Sequence, residues 1–176
     1  MKEIKHEILG NFSFDEEQCV WRKRDKLTLF DKEFDVNIDI IEYDEEYNQG
    51  IEFEEYAYGN FQDEQVDALV KFYDNRLEIL SNVEDAIFNY YQEKCEEYRE
   101  YESNEARKDQ IAPIISRKDE IGNLVEDMGI FISEQEENSL RKIGITFECT
   151  WEHHGLGVLL INKKIVAVGT IDDAIV

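Results

Sequence analysis

Residues 143–151 alternate strictly between apolar and small or polar side chains. Ile143, Ile145, Phe147, Cys149 and Trp151 fall on one face, and Gly144, Thr146, Glu148 and Thr150 on the other. A period of two over nine residues specifies a half-buried β-strand, and no helix can place that apolar set on one side. Two apolar runs follow, residues 156–161 and 165–169, joined by Asn162, Lys163 and Lys164. They read as strands that are central or covered on both faces. A chain that closes on three consecutive strands builds an antiparallel meander, and the rest must supply its partners and its cover.

The opening supplies more strands. Residues 8–14 and Cys19, Val20 and Trp21 flank a turn-prone Asp15-Glu-Glu-Gln18 and predict a hairpin. Residues 22–26 read as a charged connector and residues 27–30 as a short strand. After a turn at residues 31–33, Phe34, Val36, Ile38 and Ile40 alternate with Asp35, Asn37 and Asp39 in a second half-buried strand.

The middle carries helical spacing. Asn60 with Asp63 reads as a capping pair ahead of Val66, Leu69, Val70 and Tyr73, a helix ended by Asp74 and Asn75. Leu77, Leu80, Val83, Ile87, Tyr91 and Cys95 form one stripe of a second helix, whose residues 93–105 are expected to project or fray. Residues 103–112 read as a polar linker before Pro113. Ile121, Leu124, Val125 and Met128 predict a third helix stopped near Gly129, with Ile130, Phe131 and Ile132 as a strand. The expected fold is one α+β domain over residues 1–176, a mainly antiparallel sheet from both chain ends packed by two or three central helices.

Charge bounds the partners. The chain holds 42 Asp and Glu against 19 Lys and Arg, a net −23 in 176 residues. Such a field repels nucleic acid and anionic membranes and attracts basic proteins. Thirteen of the acids lie in residues 33–70, which contain no Lys or Arg. Tyr43, Tyr47, Phe53, Tyr56, Tyr58 and Phe61 are interleaved with them. That stretch is read as an acid-faced strand pair, as a loop around residues 44–50, or as a partner-binding surface formed by Glu42, Asp44, Glu45, Glu46, Glu52, Glu54 and Glu55. Three scattered cysteines, Cys19, Cys95 and Cys149, fit a reducing compartment, and the first residues lack a signal-peptide core, so a cytoplasmic protein is expected.

Chemistry is sparse. His153 and His154, with Glu152 and Cys149, are the one group of metal-ligand residue types. Neighbouring strand residues point to opposite faces, so a polar turn in which Gly155 supplies an unusual backbone angle and a histidine caps the chain is the simpler reading. Gly155-Leu-Gly157 lies between two strands with no Lys-Ser/Thr after it, which favours close backbone approach over a phosphate loop. Cys149 belongs to the core face and is not read as a nucleophile. No cofactor and no metal are expected. Tyr90, Tyr91, Tyr98 and Tyr101 offer a surface for self-association, hence a homodimer as one expectation.

The run Trp151-Glu-His-His-Gly155-Leu-Gly157-Val158, the closing Val166-Ala-Val-Gly169 and Asp172-Asp-Ala174 resemble an uncharacterised bacterial family. Its members are small acidic α+β proteins ending in an H-G-L-G-V hairpin. Leu9-Gly-Asn-Phe12 with Trp21, and Ala86-Ile-Phe-Asn-Tyr-Tyr91, fit the same resemblance, whereas residues 41–59 match no pattern of it. Such families are similar to immunity proteins of bacterial toxin systems. The resemblance therefore implies a non-enzymatic binding protein that neutralises a basic toxin domain by occlusion. The alternatives are an enzyme or metal-binding domain centred on His153 and His154, and a self-associating structural module.

Overall fold

The structure is a computed structural model that describes residues 3–41, 61–135 and 140–175. Eight strands form one sheet in sequence order: β1 (Glu3–His6), β2 (Gly10–Asp15), β3 (Val20–Leu29), β4 (Lys32–Ile41), β5 (Val125–Ile132), β6 (Lys142–Cys149), β7 (Leu156–Ile161) and β8 (Lys164–Thr170). All neighbours are antiparallel except β4 and β5, which run parallel where the two meanders join. Parallel neighbours need a crossover, and it contains helices α1 (Asp63–Asp74), α2 (Arg76–Tyr101) and α3 (Glu105–Ile111) and a 3₁₀ turn at Lys118–Asn123. A short α4 (Ile171–Ala174) ends the fold. The expected α+β architecture, a mostly antiparallel sheet from both chain ends with helices between, is what forms.

One face of the sheet meets α1 and α2. Trp21, Leu27 and Leu29 of β3, Phe34, Val36, Ile38 and Ile40 of β4, and Ile143, Ile145 and Phe147 of β6 are buried with Leu69, Phe72, Val83 and Ile87 of the helices. The alternation of β4 and β6 is thus the core face of the sheet. On the opposite face α4 packs over β6, β7 and β8. A Cβ at Gly144 would run into the Ala174 carbonyl, and one at Gly157 into the Thr170 carbonyl, so both positions require glycine.

Several local expectations are corrected. Residues 22–26 are no connector but the middle of a ten-residue β3. Lys23 and Asp25 look polar for a core face, yet Tyr73 receives both: its OH donates to Asp25 Oδ2, and Lys23 Nζ lies over its ring. The predicted third helix is the 3₁₀ turn followed by β5. Asp127, at φ 43°, is part of a bulge, so Val125 and Met128 stand three residues apart on one face and imitate helical spacing. Residues 105–111 are helix α3 instead of linker, capped by Asn104, whose Oδ1 accepts from Ala106 N. The far end of α2 neither projects nor frays before Tyr101, because Arg99 Nη1 donates to Ala112 O at 2.7 Å. Leu77 lies outside the buried stripe at 81% exposure, with Ile79 in its place. Trp151 is buried in the bend after β6 and is not a strand residue. β8 is an edge strand, and a register shift opposite Leu159 and Leu160 leaves Val166 exposed. The N-cap of α1 is Gln62, not Asn60, which lies outside the described residues. The strand pair or loop expected within residues 42–60 also lies outside them.

Candidate functional site

Three glutamines tie one corner of the molecule together. Gln65, fully buried on α1, donates from Nε2 to Ile41 O at 2.9 Å and Ser133 O at 3.2 Å, and its Oε1 accepts from Gln62 N at 3.0 Å. Gln62 and Gln135 pair reciprocally: Gln62 Nε2 donates to Gln135 O at 3.2 Å, and Gln135 N donates to Gln62 Oε1 at 2.8 Å. Gln135 then bonds both main-chain groups of Lys142, accepting from its N at 2.8 Å and donating to its O at 3.2 Å. Gln65 and Gln135 are the buried polar side chains among the described residues. An amide side chain both donates and accepts, so it can satisfy strand ends that no neighbouring strand reaches. The result brings Ile41 at the end of β4, Gln62 at the start of α1, Ser133 after β5 and Lys142 at the start of β6 into one hydrogen-bonded network. Sequence reasoning missed it, because a lone glutamine in a helical stripe carries no pattern of its own.

The seven acids expected to bind a partner, Glu42, Asp44, Glu45, Glu46, Glu52, Glu54 and Glu55, all lie outside the described residues. The described acids of the same stretch are largely engaged. On the face away from the helices, β3 and β4 set Arg22 opposite Asp39 and Lys26 opposite Asp35. Arg22 grips Asp39 with two bonds of 2.7 Å and Asp15 with one of 2.6 Å. The Asp39 hydrogen bond, with its charge and that of Asp15, holds the guanidinium above its ordinary value despite partial burial. Lys26 pairs with Glu33 and Asp35. Asp67 accepts from Lys71 Nζ at 2.7 Å and Arg141 Nε at 3.0 Å, and Lys71 foremost holds its carboxyl below the usual carboxylate range. Cross-strand ion pairs thus account for Glu33, Asp35 and Asp39 as a solvated ladder.

The closing hairpin is architectural. His153 and His154 are both exposed, and Glu152, not a histidine, caps the turn by accepting from His154 N at 3.2 Å. Gly155 has φ +68°, the left-handed angle expected of it. Among the described residues no three His, Cys, Asp or Glu side chains are grouped to hold a metal. Cys149 donates to Glu152 O, and burial pushes its thiol up to about 11, which suits a core residue and not a thiolate nucleophile. Of the tyrosines, Tyr91 is buried against Trp151 and donates to Pro113 O, and the Tyr90 and Tyr98 hydroxyls meet at 3.2 Å. Tyr101 alone of the four stands largely in solvent, at 81% exposure. No helix among the described residues is long and apolar enough to cross a membrane.

An eight-stranded, mostly antiparallel sheet with a helical crossover and a short helix α4 seated on glycines defines an α+β domain. The family model for a domain of unknown function, DUF6985, matches residues 8–175, and the chain belongs to that family. No curated protein and no solved structure matches it.

Proposed function

We propose that the protein is a non-enzymatic acidic binding protein, an immunity protein that neutralises a basic bacterial toxin domain by occlusion in the cytoplasm. Its partner-facing residues are Glu42, Asp44, Glu45, Glu46, Glu52, Glu54 and Glu55. The observation that carries this reading is the glutamine network. Ile41 and Gln62, which flank an acid-bearing segment without a single base, are fastened to the same corner. Gln135, which precedes Glu136 and Glu137, is fastened there too. Many described bases are engaged within the chain: Arg22, Lys26, Arg99, Arg117 and Lys118, among others, each hold a carboxylate. The excess negative charge of the chain is therefore left for a partner, and such charge accelerates encounter with a basic protein.

The test is co-expression with the C-terminal domains of secreted proteins encoded beside this gene. Protection from one such domain is the expected result. Replacing Glu45, Glu46, Glu54 and Glu55 together by Gln then slows association and flattens its salt dependence, while the melting midpoint holds. An unchanged rate and salt slope would remove the acidic segment from the interface.

A further inference from the structure

The β1–β2 turn holds one large apolar side chain outward and sends the next one inward. His6 Nδ1 accepts from both Ile8 N and Leu9 N at 3.2 Å, and Lys23 Nζ donates to Leu9 O at 3.0 Å. Gly10, at φ +84°, completes the turn. Leu9 is thereby buried, whereas Ile8 stands in solvent at 69% exposure. Ile8 is not isolated. Residues 63, 66, 67 and 70 share one face of α1, at the spacing i, i+3, i+4, i+7. That face meets the turn across an open groove of about 470 Å³, lined by Ile8, Val66 and Val70 and by His6, Glu7, Asp63 and Asp67. Asp67 is held by Lys71 and Arg141, but Glu7 and Asp63 are exposed and hold no base among the described residues. Lys5, one position before His6 on β1, points to the other face of the sheet. Residues 42–60 contain no Lys or Arg, so none of their side chains can neutralise the groove.

We propose that this groove docks a basic polypeptide, which seats one apolar side chain against Ile8, Val66 and Val70 and sets Lys or Arg beside Glu7 and Asp63. The proposal rests on the reading of a basic partner, and it names the place where such a partner takes hold by contact. An apolar anchor in a groove supplies the short-range part of binding, while peripheral charge acts mainly on the encounter. Ile8 suits that role because His6 and Lys23 fix its turn before a partner arrives, so little conformational freedom is lost on docking. The groove also adjoins the glutamine corner: the His6 ring packs on Phe61 at 5.6 Å, directly before Gln62 at the start of α1. A second copy of the chain is the wrong occupant, since its net −23 has the same sign as Glu7 and Asp63.

The probes are three synthetic peptides: Gly-Ser-Lys-Lys-Leu-Lys-Lys-Ser-Gly, the same peptide with Ser for Leu, and the same with Glu for every Lys. With the full chain at physiological salt, the Lys–Leu peptide is expected to shift the amide resonances of Ile8, Val66 and Val70. It should bind at least about fivefold more tightly than its Ser version, as burial of an apolar side chain requires, and the Glu version should not bind. Ile8→Ser should erase the preference for Leu over Ser with the melting midpoint unchanged, and Glu7→Gln with Asp63→Asn should weaken both basic peptides. Equal binding of the Leu and Ser peptides would mean that net charge alone attracts them. That result, absence of binding, binding of the Glu version, or a Leu preference that survives Ile8→Ser overturns the proposal. So does a mass that rises with concentration and falls back in Ile8→Ser, which would give the groove to a second copy. The two readings fail separately. A toxin-like domain neutralised as well by Ile8→Ser as by the parent sinks the groove alone, whereas selective peptide binding without any protected domain upholds the groove and sinks the immunity reading.

Discussion

Gln65→Leu tests whether the glutamine network holds the corner. Leucine is close to glutamine in volume and shape, so packing changes little and the loss is mainly three hydrogen bonds. The substitution strips the donor from Ile41 O and the acceptor from Gln62 N, and one of two donors from Ser133 O, which Gln135 Nε2 still serves at 2.9 Å. A buried group left without its partner costs about 1–3 kcal/mol. All three partners are half-buried and can recover some hydration from water, whereas Gln65 itself has none. The expected loss is therefore about 2–4 kcal/mol, below the sum of two full penalties and the weakening of one shared bond. For a domain of this size each kcal/mol moves the melting midpoint by about 2–4 °C, so a fall of roughly 5–15 °C is expected. Urea unfolding should show a lower midpoint with an unchanged slope, since the native surface is preserved. Glu134→Gln, at an exposed neighbouring position, serves as control and should stay within about 0.5 kcal/mol. A Gln65→Leu protein that melts within about 2 °C of the parent would show that water replaces the amide without penalty, and the corner would lose its anchor.

Phe147 is fully buried on β6 and meets the Phe34 ring at 6.0 Å, so Phe147→Ala should cost about 3–5 kcal/mol in urea unfolding. A loss below about 1 kcal/mol would contradict the register of β6. Asp67 has a folded-state value depressed by Lys71 and Arg141. Its contribution is thus present above the ordinary carboxylate value of about 4 and is lost as pH falls through the lower folded value. Asp67→Asn should remove that part of the acid-side slope, a modest change because the pair is partly exposed. An unaltered slope between pH 6 and 2 would refute the pairing.

The sequence declares the parts of the fold whose period is unbroken. β4 and β6 each present an uninterrupted apolar alternation, and both form core strands as read. α2 shows a buried stripe from Leu80 to Cys95 at helical spacing. Errors arise where one long-range contact overrides a local pattern. Lys23 and Asp25 look like connector residues because Tyr73, which accommodates both beneath the sheet, lies nearly fifty residues away. Val125 and Met128 look helical because a bulged residue between them changes a period of two into a step of three. Gln135 is invisible for a related reason. Its partners Gln62 and Lys142 lie on separate elements, and nothing in its neighbourhood marks it as buried.

The closing hairpin has a physical explanation in the packing of the last helix. Gly155 takes a left-handed angle, Gly157 lies beneath the Thr170 carbonyl and Ala174, and Gly169 makes room for Asp173. That carboxylate in turn accepts from Thr170 N at 2.8 Å and closes the start of α4. Gly155, Gly157, Gly169 and Asp173 are thereby committed to seating a four-residue helix on three strands. A substituent at Gly144 or Gly157 would lift that helix, so these positions report the architecture. They are silent about a ligand.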